Sequence, residues 1–239
     1  MCKLRGIFLL MVSLLLFLQV ALAADRGIYL GLWGAASMPQ NQNSFSDLYS
    51  SGAGFGGQIG GTLMNRTQIV FNASHNAFSE KMQGLEEYYL AVLQDAYAIR
   101  KLTTPITVSS PALSGGGLTV QQFSLNLVQP LLQSRLGVYV MAGPGLYLYR
   151  YKSVTMTATK QTTDPLTNKI TTDPDGFVQP HQVKYTLAFE AGAGVEYSML
   201  SNVALFAEGK YNYTKAHNAS TESYRNFISG KLGVRYQLK

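Results

Sequence analysis

From Lys184 to Ser198 the chain alternates without a break between two sets of residues. Tyr185, Leu187, Phe189, Ala191, Ala193, Val195 and Tyr197 make one set, and Lys184, Thr186, Ala188, Glu190, Gly192, Gly194, Glu196 and Ser198 the other. Period two sends successive side chains to opposite faces of an extended strand. A run this long is more than twice the usual strand of about 5–6 residues. The next two segments repeat it. Val203, Leu205, Ala207, Gly209, Tyr211 and Tyr213 oppose Asn202, Ala204, Phe206, Glu208, Lys210 and Asn212. Ile228, Gly230, Leu232, Val234, Tyr236 and Leu238 oppose Phe227, Ser229, Lys231, Gly233, Arg235 and Gln237.

Five earlier segments carry the same pattern less cleanly, at about Gly27–Met38, Gly54–Leu63, Thr67–Phe78, Leu118–Val128 and Leu136–Lys152. Gly56, Gly57, Gly60, Gly61, Gly143 and Gly145 would weaken an ordinary strand, but in a small closed barrel glycine leaves room for curvature and for large inner side chains. The connections alternate in length. Those at about 39–53, 79–117, 153–182 and 215–223 are long, while those near Met64–Arg66, Gln129–Arg135 and Met199–Asn202 are short. Short turns on one side and longer loops on the other mark an up-and-down transmembrane barrel of the bacterial outer membrane. The expectation is an eight-stranded antiparallel barrel with its long loops outside.

Composition supports a lipid-facing surface. Charged residues make up 13%, against roughly 25% in an average soluble domain, and no apolar run after the first twenty-odd residues would span a membrane as a helix. Those first residues have their own pattern: Lys3 and Arg5, an apolar run from about Gly6 to Val20, then Ala21-Leu22-Ala23. A basic start, an apolar middle and a small-x-small end predict a secretory signal cleaved after Ala23, leaving one domain from 24 to 239. An uncleaved helix is the alternative. The only cysteine, Cys2, lies in the signal, so the mature chain has no thiol chemistry or disulfide. The net charge of +6 includes Lys3 and Arg5, and what remains is too diffuse for nucleic acid.

Two long loops have internal patterns. Leu85, Tyr89, Val92, Leu93, Ala96 and Ile99 have helical spacing, with Glu86 and Glu87 at the start and Arg100 and Lys101 at the end, the charge order a helix dipole favours. The alternative there is an extra hairpin from about Tyr88 to Ser110, which would make ten strands. Asp164-Pro165 and Asp173-Pro174 are turn signals and predict two similar turns. Asp173 and Asp175 offer too few ligands to hold a cation well.

The faces of the last three strands suggest sites. Lys184, Glu190, Glu196, Glu208, Lys210, Lys231 and Arg235 fall on the inner face. A turn near Leu200 or Ser201 would set Glu190 about opposite Lys210, and a loop centred near Asn218–Ser220 would bring Glu208 to Lys231. Opposite charges across strands attract, whereas unpaired charges in a narrow bore are costly. A structural plug is expected; a gated ion path is the alternative. Tyr185 and Tyr197 share the outer face twelve residues apart. At about 3.3 Å per residue and about 40° tilt they stand roughly 30 Å apart along the membrane normal, close to the apolar band of ~25 Å. Tyr211, Tyr213 and Tyr224 would join the outer aromatic girdle and Tyr236 the inner. Arg150, Lys152, Lys184 and Lys215 lie near the expected outer rim and could bind lipopolysaccharide phosphates.

Several stretches resemble the small outer-membrane barrels of the outer-membrane-protein-A and opacity-protein kind. They are Leu136-Gly137-Val138-Tyr139-Val140-Met141-Ala142-Gly143-Pro144-Gly145-Leu146-Tyr147, Ala191-Gly192-Ala193-Gly194-Val195-Glu196-Tyr197, Asn202 to Glu208, and Leu232-Gly233-Val234-Arg235-Tyr236. The resemblance covers the mature chain in pattern and its last hundred or so residues in motif. It implies an outer-membrane location, lipid and lipopolysaccharide as surroundings, and periplasmic chaperones and the barrel assembly machinery as partners during biogenesis. The chain departs from the family in ending Tyr236-Gln237-Leu238-Lys239, where relatives end in an aromatic residue. It also has no room for the peptidoglycan-binding domain of some relatives.

Fold does not fix function. Three readings follow. The first is a non-enzymatic barrel with an envelope-structural or surface-interaction role, its long loops meeting a surface ligand. The second is a small channel. The third is a lipid A-modifying enzyme, since some barrels of this size are hydrolases or acyltransferases. A deacylase of that type carries His-x-Ser, whereas the histidines here read His75-Asn76-Ala77, His181-Gln182-Val183 and His217-Asn218-Ala219. Ser74 and His75 are neighbours on a strand and point to opposite faces. No cofactor is called for, and three scattered histidines make no metal site.

Overall fold

A computed structural model describes residues 27–238 except 41–44, 65, 82, 85, 88–89, 92–94, 96–105, 165, 217–222 and 225. The expected signal sequence lies outside the described residues. The elements run in the order β1 (Ile28–Pro39), α1 (Phe45–Leu48), β2 (Tyr49–Met64), β3 (Thr67–Glu80), β4 (Ile106–Gly115), β5 (Leu118–Leu132) and β6 (Leu136–Tyr151). Then come β7 (Val154–Thr163), β8 (Ile170–Gln179), β9 (Gln182–Ser198), β10 (Val203–Ala216), β11 (Ser223–Tyr224) and β12 (Phe227–Gln237).

Eight of these strands close on themselves. The antiparallel order is β1-β2-β3-β5-β6-β9-β10-β12, and β12 pairs back onto β1. One row of register partners can be followed round the whole circuit: Ile28, Gly61, Ile69, Leu127, Ala142, Ala191, Tyr211, Ile228 and Met38. The row returns to β1 displaced from Ile28 to Met38. At about 3.3 Å per residue and about 4.8 Å between strands, that shear tilts the strands about 40° from the axis.

Polarity is inverted relative to a water-soluble barrel. Leu187, Leu32, Leu232 and Phe55 point outward and are 79, 74, 70 and 67% exposed, while Glu190 and Lys210 point inward and are 1 and 2% exposed. An apolar outside and a polar inside, with no sheet edge left open, is the arrangement a barrel needs in lipid. No described helix is long and apolar enough to cross a membrane.

The bore is narrow, and glycines on its wall admit the large residues. A Cβ on Gly60 would lie 2.4 Å from the Tyr29 ring, and one on Gly194 2.5 Å from the Tyr139 ring. Gly61 faces the other way, and a Cβ there would meet nothing within 4 Å.

Strands beyond the eight do not enter the barrel. β4, β7 and β8 form a separate three-stranded sheet at the loop end. The ten-strand alternative is therefore corrected: Ile106–Gly115 pairs with Val154–Thr163 in this outer sheet rather than with a barrel strand. The β4–β7 ladder continues the β5–β6 ladder across a break at Gly115–Gly117, all three at positive φ (82°, 97° and 116°). Two backbone bonds span the break, Gly116 N–H to Ser153 O and Lys152 N–H to Gly117 O, each 2.9 Å. The Glu80 carboxylate accepts the Gly117 N–H.

The expected pair of Asp-Pro turns is half right. Asp164 opens the β7–β8 turn, its carboxylate accepting N–H bonds from Leu166 (2.9 Å) and Thr167 (3.4 Å). Those bonds hold its carboxyl below the ordinary range. Asp173-Pro174 instead lies within β8, Asp173 opposite Lys160 and Pro174 opposite Thr159. β8 is an edge strand, where a missing N–H is tolerated. In the segment predicted as a helix, Glu86, Glu87, Leu90, Ala91 and Asp95 are helical, and the others lie outside the described residues.

The inner-wall glycines make a paired test. Gly60→Val should lower the folded fraction, by an overpacking cost of about 1–3 kcal/mol, while Gly61→Val should leave it unchanged. Heat-dependent gel mobility and urea midpoints in detergent would measure both; equal effects would mean the Tyr29 contact does not limit packing.

Candidate functional site

The strand alternation that turns β9, β10 and β12 outward with Tyr and Leu turns their charges into the bore. Glu190, Glu196 and Glu208 meet Lys210, Lys231 and Arg235, three carboxylates against three cations. Lys210 Nζ lies 3.1 Å from Glu190 Oε2 and 3.9 Å from Glu208 Oε2. Arg235 donates to Glu208 Oε1 at 2.9 Å and bonds Glu196. The guanidinium is enclosed by Phe206, Tyr139 and Tyr29, with ring centroids 4.6, 5.0 and 5.1 Å from Cζ. The Lys231 ammonium sits 4.4 Å from the Trp33 ring centroid. Such contacts hold a desolvated cation by the ring quadrupole.

Neutral groups complete the network. Glu190 accepts from Ser124 Oγ and Asn126 Nδ2, both at 3.0 Å, and the Tyr147 hydroxyl lies 2.6 Å from its other oxygen. Tyr139 donates to Glu208 at 2.9 Å. The wall formed by β2, β3 and β5 is uncharged: Gln58, Asn72, Asn76, Gln122, Ser124 and Asn126 are all buried. Glu190 is thus satisfied through several bonds, which is what the desolvation of a buried charge requires.

Apolar layers cover both sides of this middle. At the loop end Phe45, Tyr49, Phe78, Leu118, Val120, Tyr147, Tyr149 and Phe227 form one cluster. Phe45, on the short α1, reaches Tyr49 and Phe78 with ring centroids 5.6 Å apart in each pair. Lys81 holds α1 in place, its backbone N–H donating to Leu48 O at 2.9 Å and its ammonium to Ser46 O at 2.6 Å. At the turn end Tyr29, Val70, Val128, Tyr139 and Met141 form the second layer. Two recesses of about 120 and 100 Å³ enter that end and stop at Glu196 and Arg235.

The sequence-derived residues are placed as follows. Glu190, Glu196, Glu208, Lys210, Lys231 and Arg235 come together. Lys184 does not join them; it stands near the loop end with its ammonium 5.7 Å from the Tyr151 ring centroid. Glu208 is directly opposite Lys231, at the expected register. The β9–β10 register is centred on Ser201, one of the two expected centres, and sets Glu190 opposite Asn212 and Lys210 opposite Gly192, two residues from a direct Glu190–Lys210 pairing. The ion pair forms on the diagonal, across the space that Gly192 leaves.

Tyr185, Tyr197, Tyr211, Tyr213 and Tyr236 all point outward and are 41–57% exposed. Tyr224 pairs through its backbone with Lys215, and the side chains of both lie outside the described residues. Arg150 is exposed and outward-facing, Lys152 is exposed at the β6–β7 junction, and Lys184 projects from the opposite face of the sheet to Arg150. Arg150, Lys152 and Lys184 therefore do not form one cluster.

Sequence reasoning missed the aromatic cage of Arg235 and the uncharged wall. The wall had a signal in the alternating Asn72, Ser74, Asn76 and Gln122, Ser124, Asn126. The cage had none, because its residues come from β1, β6 and β10.

A closed eight-stranded barrel with an apolar exterior and a charged, filled bore defines a transmembrane β-barrel. No protein-family model matches the chain, and no curated protein matches it in sequence. Among solved structures it is similar to Ail, the attachment invasion locus protein of Yersinia pestis, at 10% identity over 90% of this chain and 100% of that one, with a TM-score of 0.45. It is also similar to Neisserial surface protein A (16%, 88% and 97%, TM-score 0.40). A third is the N-terminal β-barrel domain of Pseudomonas aeruginosa OprF (13%, 90% and 100%, TM-score 0.39). The class of the protein follows from its own closure and polarity, not from these likenesses.

Removing one partner of the central pair should be far worse than removing both. Lys210→Met should cost about 3–5 kcal/mol by leaving Glu190 buried without its cation, and adding Glu190→Gln should restore most of the loss. Urea unfolding of the refolded variants measures this; a single variant as stable as the wild type would deny the pair its structural role.

Proposed function

We propose that this protein is a non-enzymatic barrel of the bacterial outer membrane that acts through the surface it raises at the loop end. The observation that carries this reading is the filled bore. Three carboxylates and three cations occupy the middle, aromatic layers cover both sides, and an eight-stranded barrel is only wide enough for such side chains. Transport through the bore would require these contacts to separate.

The sheet β4-β7-β8 is the described part that stands clear of the barrel. Leu166, Ile170 and Val178 are 93, 60 and 63% exposed there, spread along the sheet from the β7–β8 turn to the far end of β8. Its edge strand β8 carries Asp173, Pro174 and Asp175, residue types that discourage unspecific strand addition. Lipopolysaccharide surrounds the barrel in this reading, and chaperones and the assembly machinery deliver it. Among the described residues no three potential metal ligands cluster, and Ser74 and His75 face opposite sides of β3.

Two experiments test the proposal. Trypsin on intact cells should cut at Lys169, in the β7–β8 turn, and spare Arg66 and Arg135 in the short turns; the reverse pattern would place the loops inside. Planar bilayers with the refolded wild-type protein should show no conductance steps, and regular steps would replace this reading with a channel.

A further inference from the structure

Three neighbouring strands interrupt the apolar exterior near their loop ends. His75 of β3, Thr119 and Gln121 of β5 and Arg150 of β6 all occupy outward positions. The register joins them in two rows. One runs His75, Gln121, Leu148, Tyr185, and the other Ala77, Thr119, Arg150, Val183. The His75 ring lies 5.8 Å from that of Phe55, itself 67% exposed on the outside. Strands β9, β12 and β1 differ. β9 shows Val183, Tyr185, Leu187 and Phe189 at this end, β12 shows Ile228 and β1 shows Met38.

Strand tilt gives these groups different depths. With about 4.8 Å between strands and about 40° of tilt, a register row descends about 3 Å per strand from β9 towards β3. Arg150 and Thr119 then stand level with the Tyr185 girdle. Gln121 lies about 6 Å deeper and His75 about 9 Å deeper, near the depth of Tyr213, which the same register sets about 7 Å below Tyr185. Phe123 and Ala73 follow beneath them. An amide and an imidazole at this edge of the apolar band are unfavourable unless something polar meets them there.

The geometry points to a seat for one phosphorylated glycolipid of the lipid A class in the outer leaflet. The order along the membrane normal matches that chemistry. Arg150, with Thr119 beside it, meets a sugar phosphate as a charge-assisted donor. Gln121 and His75 meet the carbonyls and hydroxyls of the acyl linkages below the sugar, and Phe123 and Ala73 meet the chains. This rests on the outer-membrane placement proposed above, with the loops outside. It uses one of the four rim cations named from the sequence, because Lys184 turns to the other face.

Native mass spectrometry of the refolded protein in detergent tests it with three probes: diphosphorylated lipid A, dephosphorylated lipid A and phosphatidylglycerol. The wild type should retain one diphosphorylated lipid A about tenfold more tightly than either other probe, the worth of one charge-assisted hydrogen bond. Arg150→Ala should erase that preference. Gln121→Leu with His75→Leu should weaken both lipid A forms alike. Arg135→Ala, a cation at the turn end, should change nothing, and heat-dependent gel mobility confirms that each variant is folded. Equal retention of all three probes by the wild type overturns the seat. So does an Arg150→Ala protein that keeps the preference, or wild-type dimers that Gln121→Leu abolishes, which would make the patch a contact between copies. Proteolysis showing the loops inside removes the placement as well, whereas loops outside with no lipid preference removes the seat alone.

Discussion

In hydrocarbon no water is present to bond a backbone N–H or C=O, so each must find a partner within the chain. A sheet meets that demand only by closing, and here β12 returns to β1 over a register from Tyr29 opposite Gln237 to Pro39 opposite Phe227. Closure with the observed shear sets the strand tilt, and tilt sets how many residues are needed to cross the apolar layer. The long strands follow, as does a bore narrow enough that glycine stands where Tyr29, Tyr139 and Trp33 cross it.

The bore explains the distribution of charge. A membrane protein of this shape has no apolar core to hide ions in, so its inner face serves as the core. Three carboxylates and three cations balance there, Glu190, Glu208 and Arg235 each held by more than one bond, and an uncharged wall of Asn, Gln and Ser faces them. Because these groups hold one another, the middle of the barrel resists rearrangement. Variation and binding are left to the outer sheet and to the lipid-facing surface, where Arg150, Gln121 and His75 break an otherwise apolar exterior.

Most of the barrel was legible in the sequence. All eight strands were predicted, within a few residues at most ends, because period two is a local property that any alternating run displays. The inner and outer faces of β9, β10 and β12 were legible for the same reason. What failed depended on distant partners. The Glu190–Lys210 contact was placed from a turn centre at Leu200 or Ser201, and the structure's choice of Ser201 sets the two residues a diagonal step apart rather than face to face. The strand Ile106–Gly115 was read as a possible member of the barrel, since nothing in it says whether its neighbour is a barrel strand or Val154–Thr163. Asp173-Pro174 reads as a turn locally and becomes part of an edge strand only because β7 lies beside it.

Alternation and loop lengths thus carried the strand number, the topology and the inner face of all seven charges, of which Lys184 alone stands apart from the network, since each follows from the chain's own local geometry. Which charges touch, how Arg235 is caged by Tyr29, Tyr139 and Phe206, and where the outer sheet stands came from closure. Those contacts join residues up to two hundred positions apart, such as Tyr29 and Arg235, and their register is set by the sum of seven hairpin connections and one final seam. No single stretch of sequence holds that sum.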